Sequence, residues 1–402
     1  MLTNIYNKFR RITSSQLYLP EIDGIRFLAI TLVILFHTHG YFIGKSTMIF
    51  ADDLHNYNWF NTFLENGDRG VELFFVLSGF ILCLPFAHQY INSGKKISLK
   101  KYFLRRVTRL EPPYFIAMTL FFVMQFIMKI HPVHILVRSW LASLVYSHNI
   151  IFHHNPLLTV VAWSLEIEIQ FYIIAPVLFR VLSFHAFTRR IILVAATLLL
   201  IFFQSIYTPH VRSIYQYGQY FFVGILLADV YVSNTASALF NKKWIIAAAA
   251  ICLAAICFLP FNIPGLPHST LPAKLAFPFL IGLFYYMVLK NEVIKNIFSY
   301  KFVPVIGGMC YSIYLLHYNI ISVFGRFTLR LHYTNYYLPN LFIQIILLGI
   351  PVLVFSAAFY YYVERPFMSS KWTDILMKKD KRAAAANLQS DLPDNEHVTE
   401  KH

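Results

Sequence analysis

The chain has 402 residues, of which 57% are hydrophobic and only 13% charged, and its mean hydropathy is +0.56. A soluble domain carries about 25% charged residues and stops enlarging a single core near about 250–300 residues, so this much apolar sequence cannot be one buried core. An outer-membrane barrel would need strands of about ten residues with alternating polarity, whereas the apolar runs here are longer and do not alternate. The composition therefore disfavours a soluble enzyme, a disordered chain and a barrel, and predicts an all-α polytopic membrane protein.

Apolar runs long enough to cross a bilayer occur ten times along the chain. A membrane-spanning helix needs about 20 largely apolar residues at a rise of about 1.5 Å each. One further apolar stretch, 134–150, is short for a span and carries several polar side chains. The predicted spans are 24–43, 69–90, 112–130, 160–183, 190–207, 214–232, 243–260, 273–290, 302–325 and 338–363.

The distribution of positive charge decides how the stretch 134–150 is interpreted. If the N-terminus is cytoplasmic and 134–150 does not cross, cytoplasmic segments hold 25 of the 34 Lys and Arg residues and the other side holds eight, with Arg26 left inside the first span. If 134–150 crossed, every later loop would change sides and this asymmetry would be lost. We therefore expect about ten transmembrane helices, both termini in the cytoplasm, and 134–150 as an interfacial or re-entrant segment on the outer side. The net charge of +15 then reflects topology, and we expect no binding to nucleic acid.

The predicted domain organisation is simple. We expect a cytoplasmic N-terminal segment at 1–20, a membrane-embedded domain at 21–368 and a cytoplasmic tail at 369–402, disordered from about 383, where the sequence is polar and lacks an apolar period. The Pro-rich stretch 259–272 predicts an outer turn. All four cysteines lie in apolar runs without metal-ligand spacing, so no metal site is expected.

Two ionisable side chains lie on one face of the first span. Arg26 and His37 are eleven residues apart, which is three helical turns plus about 20°, with an axial separation of about 16 Å. Charged groups inside a membrane are costly and are candidates for function by default. The alternative is that Arg26 reaches the lipid phosphates and His37 only bonds a neighbouring helix. Asp23 opens the same span.

The second span and the segment after it carry further candidates. Ser78 and Gly79 are small mid-span residues, which favours close helix packing over a direct role for Ser78. The run KKYFLRRVTR places Lys101, Arg105 and Arg109 on one helix face. This stripe has two possible roles. It either sets the membrane topology and contacts anionic lipid headgroups, or it binds a phosphorylated cytosolic cofactor, because Arg pairs bidentately with phosphate. The sequence EPPY that follows predicts the end of this basic helix and the start of the third span.

The stretch WSLEIEIQFY is unusual, because two carboxylates lie in the first turns of an apolar span. Glu166 and Glu168 are two residues apart and so point in different directions, which predicts that one faces a helix partner and one a cavity. A carboxylate that orients a histidine would serve general-base catalysis, and an ion pair with an outer Arg is the alternative. His317 is a further inward polar group, expected to bond between helices.

Five stretches, in this order, resemble the motifs of the acyltransferase-3 family of integral membrane O-acyltransferases. The likeness covers about residues 20–370 and departs mildly at Glu72, where Asp is commoner, and at Ile169, where an acidic residue often follows the Glu. The matching positions are Arg26 and His37 in DGIRFLAITLVILFH; Gly70, Phe74, Phe75, Ser78 and Gly79 in GVELFFVLSGFIL; Arg106, Arg109, Pro112 and Tyr114 in RRVTRLEPPY; Trp163, Ser164, Glu168 and Tyr172 in WSLEIEIQFY; and Tyr311, Ser312, His317, Glu364 and Pro366 in YSIYLLH and YVERPF.

The resemblance implies transfer of an acyl group, acetyl first of all, from cytosolic acyl-CoA to a hydroxyl of an extracytoplasmic glycan such as O-antigen, capsule or exopolysaccharide. It implies a multi-pass protein of the bacterial inner membrane, in contact with lipid, with acetyl-CoA as cosubstrate. Longer members carry a C-terminal SGNH esterase-like domain, and we expect none here. The implied catalytic residues are His37, Arg26 and Glu168; the implied CoA-binding residues are Arg105, Arg106, Arg109 and Arg26; and the supporting or substrate-binding residues are Asp23, Ser78, Trp163, Ser164 and His317.

Two mechanistic alternatives and one rival function stay open. His37 would act either as general base or as a transient acyl carrier, and Glu168 would either orient His37 or bind the acceptor. A polytopic transporter or a flippase of a lipid-linked sugar is the rival function, although such proteins more often show broken spans in two related halves, which this sequence lacks.

Overall fold

The protein is an all-α polytopic membrane protein. The computed structural model describes residues 18–46, 50, 57–234, 240, 242–259, 271–331 and 333–369, together with residues 9 and 375, and no strand occurs in these ranges. Nearly all of the predicted N-terminal segment and outer turn, and the tail predicted to be disordered, lie outside the described residues.

Sixteen helices of three residues or more follow each other along these ranges. They are α1 Pro20–Lys45, α2 Asn58–Glu65, α3 Gly70–Ile91, α4 Leu99–Ile127, α5 Val133–Leu144, α6 His148–Phe152, α7 Ala162–Leu178, α8 Ala186–Ile206, α9 Ile214–Val232, α10 Trp244–Phe258, α11 Leu271–Lys290, α12 Glu292–Phe298, α13 Val303–Gly308, α14 Cys310–Thr328, α15 Tyr337–Phe359 and α16 Arg365–Phe367. A 3-10 turn, Asn66–Arg69, precedes α3, another, Phe179–Ser183, follows α7, and a π-helical turn, Tyr360–Glu364, joins α15 to α16.

Each of the ten predicted spans contains one long helix. By length and composition, six helical segments of the described chain are apolar enough to cross a membrane: Pro20–Lys45, Asn58–Ile91, Leu99–Ile127, Ala186–Ile206, Leu271–Lys290 and Tyr337–Phe367. The other four predicted spans correspond to α7 and α10, which have 17 and 15 residues, and to α9 and α14, which have 19 residues each. Polar side chains interrupt α7, α9 and α14, and these helices pack in the interior of the bundle.

The basic segment and the third span form one continuous helix, so the prediction that EPPY separates them is wrong. α4 runs through Pro112 and Pro113 without a break. Proline removes one backbone donor but fixes φ at a helical value, and membrane helices tolerate it when neighbours satisfy the freed carbonyls. Arg106 and Arg109 are therefore held on the same rigid helix that continues into the membrane.

Small residues allow α3 and α9 to pack closely, as the sequence predicted for Gly79. A Cβ atom on Gly79 of α3 would lie 2.5 Å from the Phe221 carbonyl oxygen, and one on Gly224 of α9 would lie 2.3 Å from the Val76 carbonyl oxygen. Backbones this close leave no room for any side chain. The contact fixes α3, and with it Ser78, against α9.

The stretch 134–150 forms two short helices, α5 and α6, instead of one span. The 12 residues of α5 extend about 18 Å, well below the hydrocarbon thickness of about 30 Å. Tyr114 of α4 donates a hydrogen bond to the Ser143 carbonyl at 2.8 Å. The backbone N–H of Asn149 donates to Glu166 at 3.0 Å. Both short helices are thus attached to the bundle, which fits an interfacial or re-entrant segment.

A helix that the sequence did not predict, α2, lies in the segment expected to be an outer loop. It is held by a buried hydrogen-bond chain in which His39 Nε2 lies 2.9 Å from the Tyr337 hydroxyl, and that hydroxyl donates to Asn61 of α2 at 2.8 Å. Phe42 and Tyr337 are both fully buried in the apolar cluster around this chain. His39 therefore joins α1, α2 and α15.

We expect His39→Ala to destabilise the fold, because removing one partner of a buried hydrogen bond costs about 1–3 kcal/mol. The thermal unfolding temperature of the detergent-solubilised chain measures this loss. His210→Ala is the matched control, since His210 is exposed. Equal unfolding temperatures for the two variants would show that the His39 bond contributes nothing.

The predicted topology gives a labelling test. His153, at the C-terminal end of α6, and Lys96, just before α4, are both exposed. In intact cells an impermeant thiol reagent should label His153→Cys and should leave Lys96→Cys unlabelled until the membrane is opened. The parent chain gives the background, because three of its cysteines are buried and the fourth is partly so. Labelling of position 96 from outside would contradict a cytoplasmic N-terminus.

Candidate functional site

A cavity lies between α1, α3, α4, α7 and α14. The volume of this cavity is about 120 Å³. Six of the residues predicted to be catalytic, binding or supporting line its wall: Arg26, Ser78, Arg106, Arg109, Ser164 and Glu168. These residues come from four helices that are distant in sequence, so the fold brings together what the motifs only ordered along the chain.

The cavity wall carries more positive than negative charge. Three guanidinium groups, those of Arg26, Arg106 and Arg109, line it beside one carboxylate, that of Glu168. Arg26 also forms an ion pair with Asp23, which is 1% exposed. One positive charge is thereby paired within α1, and the lining as a whole holds three guanidinium groups to one carboxylate, which favours an anionic ligand.

The arginines of α4 differ in exposure. Arg106 and Arg109, three residues apart, face the cavity, and Arg106 also lies over the Tyr102 and Tyr172 rings at 6.0 and 5.8 Å. Arg105 is exposed and does not line the cavity. Of the predicted stripe of Lys101, Arg105 and Arg109, only Arg109 therefore lines the cavity. Arg106 joins it there because residues one apart on a helix, such as Arg105 and Arg106, differ by about 100°.

Glu168 is held by two hydroxyl groups. Ser78 donates a hydrogen bond to its carboxylate at 2.5 Å, and Tyr172, one turn further along α7, also donates to it. Among the described residues no hydrogen bond joins Glu168 to His37, so the structure does not support a direct orienting contact between them. Ser78, expected to serve packing first, presents its hydroxyl to the cavity.

Glu166 and Glu168 face different neighbours, as their spacing predicted. Glu168 lines the cavity. Glu166 is 1% exposed and accepts hydrogen bonds from the Asn149 backbone N–H at 3.0 and 3.4 Å. Glu166 therefore ties α6 to α7, and no ion pair with an outer arginine is found for it in the described chain.

His37 and His317 lie next to each other in the bundle. Their ring centroids are 5.2 Å apart, and the Tyr318 ring is also 5.2 Å from His37. His317 is fully buried, and its Nδ1 lies 3.1 Å from the Ile313 carbonyl oxygen and 2.8 Å from that of Tyr314. Carbonyl oxygens only accept, so Nδ1 carries the proton and Nε2 keeps a lone pair. Among the described residues, this Nε2 has no hydrogen-bond partner.

The cavity and the histidine pair lie at different levels of the bundle. His37 is eleven residues beyond Arg26 on α1, about 16 Å along the axis. Helix α14 runs beside α1 in the same direction, as three successive contacts show. At the cavity, Tyr311 of α14 and Arg26 of α1 both line the wall. Further along both helices, His317 lies beside His37. Beyond that pair, Gly325 lies against the Tyr41 ring.

Tyr314 lies between the two levels. Its hydroxyl is 2.6 Å from the Ser164 hydroxyl, and its ring centroid is 5.7 Å from that of His317. Sequence reasoning named Tyr311 and His317 but missed Tyr314. The sequence did contain a signal for Tyr314, because positions 311, 314 and 317–318 lie on one face of a helix.

Trp163 does not line the cavity but packs behind its wall. The Arg212 guanidinium lies 4.5 Å above the Trp163 ring, and the Tyr217 ring is 5.2 Å away. Sequence reasoning missed both partners, because they lie about 50 residues away in the chain. In the described ranges no group of three or more His, Cys, Asp or Glu side chains is arranged to hold a metal ion.

Comparison with known families decides the classification. The profile of the acyltransferase-3 family, described as an acyltransferase domain, matches residues 19–361. The chain belongs to this family. The match includes every residue of the cavity and both histidines, which supports the resemblance drawn from the five motifs.

Two curated members of the family illustrate the relationship. The chain is 27% identical over 338 residues to the peptidoglycan O-acetyltransferase OatA of Listeria monocytogenes, covering 77% of this chain and 50% of the relative. It is 25% identical over 349 residues to the O-acetyltransferase OatA of Staphylococcus aureus, and this match covers 80% of this chain and 53% of that relative. The chain thus spans about half the length of these relatives. No solved structure matches it.

Proposed function

We propose that this protein is a membrane O-acetyltransferase that moves an acetyl group from acetyl-CoA to a hydroxyl of a cell-envelope glycan. The observation that carries the proposal is the cavity whose wall combines Arg26, Arg106 and Arg109 with Ser78 and Glu168. Family membership and the names of the two OatA relatives point to the same reaction, and the name of the Listeria monocytogenes relative points to a glycan acceptor.

The arginines would bind the phosphate groups of the donor. CoA carries several phosphates, and guanidinium groups pair bidentately with phosphate. Arg106 and Arg109 belong to the helix that begins with the basic segment expected on the cytoplasmic side. A donor held there would extend its pantetheine arm into the bundle, towards Ser78 and Glu168.

His37 would accept the proton from the acceptor hydroxyl. As that proton moves to the imidazole, the hydroxyl oxygen bonds to the thioester carbonyl carbon, the carbon–sulfur bond breaks, and the CoA thiolate leaves and takes up a proton. A neutral imidazole suits this task because its unprotonated ring nitrogen can accept a proton and later release it. In this scheme His317, whose ring packs against that of His37, is a positioning residue.

Glu168 would organise the cavity through the two hydroxyl groups it binds. Ser78 and Tyr172 both donate to this carboxylate, so their oxygen lone pairs are oriented by it. Glu168 would thereby fix the wall beside the thioester, a role that needs no contact with His37. Asp23 would fix Arg26 in the same way.

The reaction itself is tested in membranes that contain the full chain. Labelled acetyl-CoA is supplied, and both label on envelope glycan and free CoA thiol are measured. A transferase produces the two in equal amounts. A transporter or flippase would produce neither, and that result would refute the proposal.

His37→Gln should remove about 10²–10⁴-fold of this activity, because glutamine keeps a hydrogen bond but cannot cycle a proton. The same assay measures the loss, with insertion checked by the amount of chain in the membrane. His210→Gln is the matched control on an exposed histidine. Near-normal transfer by His37→Gln would show that His37 only bonds a neighbour.

Arg109→Ala should raise the KM for acetyl-CoA about tenfold or more, since a hydrogen bond to a charged group is worth about 1.5–3 kcal/mol. The KM for the acceptor should change little. Arg105→Ala removes the same charge from the same helix but outside the cavity, and its effect should be much smaller. If both variants insert poorly and neither changes the KM for acetyl-CoA, the arginines serve topology alone.

A further inference from the structure

We infer that Arg212 is the centre of a second binding site, one that takes an anionic group, carboxylate or phosphate, of the acceptor glycan. The inference rests on the proposed function and narrows its acceptor to acidic glycans. Arg212 lies in the connection between α8 and α9, a segment that no sequence motif singled out.

The Arg212 guanidinium is partly buried and stacked on an aromatic ring. It lies 4.5 Å from the centroid of the Trp163 ring. Among the described residues no carboxylate forms an ion pair with it, in contrast to Arg26, Arg189 and Arg190. An aromatic ring beside a guanidinium does not take up its N–H groups, so these stay available to bind a planar anion bidentately.

The backbone around Arg212 is fixed from three helices. Asn149 of α6 donates to the Arg212 carbonyl at 3.0 Å, and the Ile214 N–H donates to Gln170 of α7 at 2.9 Å. Ser213 and Gln216 form a capping box at the start of α9. A cation held this firmly is preorganised, so little conformational entropy is lost when an anion binds.

Arg212 lies far from the arginines proposed for the donor. Tyr172 of α7 is next to Arg106, and Trp163 is nine residues earlier on the same helix, about 13 Å away along its axis. Arg212, stacked on Trp163, therefore lies nearer the opposite end of α7. Donor and acceptor would bind at separate positive sites, which keeps the two anionic ligands apart.

The site adjoins the cavity wall. Phe75 lines the cavity, and its ring lies 6.4 Å from that of Trp163 and 5.3 Å from that of Tyr217. Ser164, the residue after Trp163, also lines the cavity and bonds Tyr314. A glycan whose anionic group is bound by Arg212 would thus have its neighbouring sugar hydroxyls close to the reacting region.

The test measures binding and does not depend on catalysis. The full chain in uncharged detergent is unfolded thermally with trigalacturonic acid, or with the galactose trimer made from it by carboxyl reduction. A ligand that binds only the folded state raises the unfolding temperature. The acidic trimer should raise it for the parent chain and not for Arg212→Gln, and the neutral trimer should raise it for neither.

Arg138→Gln is the matched control, because Arg138 is an exposed arginine on α5. It should respond to the acidic trimer as the parent chain does. Equal responses of Arg212→Gln and the parent chain would overturn the inference, and so would the absence of any response. Arg212→Lys, which keeps the charge but loses the planar fork, should bind the trimer about tenfold more weakly or worse.

The alternative anion is a lipid headgroup. The thermal stability of the chain is therefore compared in nanodiscs of phosphatidylcholine with and without phosphatidylglycerol. If phosphatidylglycerol stabilises the chain through Arg212 and the acidic trimer does not, the site binds lipid and the glycan assignment is overturned. Binding of the acidic trimer by a chain that releases no CoA thiol would leave this site standing while refuting the proposed function. Failure of the Arg212 site and failure of the proposed acetyl transfer therefore give different results.

Discussion

Charged side chains inside an apolar bundle must be compensated, and this constraint organises the whole molecule. Asp229 is fully buried and pairs with Arg189 at 2.5 Å and Arg190 at 2.6 Å, which joins α8 to α9. Arg69, 4% exposed, donates to the Ile256 and Leu259 carbonyls at 2.6 and 2.5 Å and so completes the end of α10. Each such charge would be prohibitively costly without these partners. These pairs fix α8, α9 and α10 within the bundle.

The cavity wall concentrates charged side chains of mainly one sign. It collects three arginines and one carboxylate on its wall, so an excess of positive charge remains beside an apolar lining that includes Phe74 and Leu77. Such a lining attracts an anionic ligand, and this is the basis on which we propose a phosphate-bearing donor.

The parallel course of α1 and α14 connects donor and acceptor ends of the proposed path. Arg26 and Tyr311 meet at the cavity, and His37 and His317 meet about 16 Å further along α1. Tyr314 and its bond to Ser164 lie between them. Because both helices are rigid, helical rise sets the distance between the proposed phosphate site at the cavity and the histidine pair, and no loop contributes to it.

The order of the amino acids was enough to predict the membrane class, the helices of the ten spans, the family and six of the residues that line the cavity, because apolar run length and local spacing depend only on neighbours in the chain. It did not reveal that α4 continues through Pro112 and Pro113, since proline usually ends a helix and only the surrounding bundle permits otherwise. Tertiary structure alone decided that Arg106 and not Arg105 faces the cavity, that Glu168 binds Ser78 and not His37, and that Arg212 stacks on Trp163. These contacts join helices whose relative rotation no local pattern encodes, because it is fixed by how distant surfaces pack against each other.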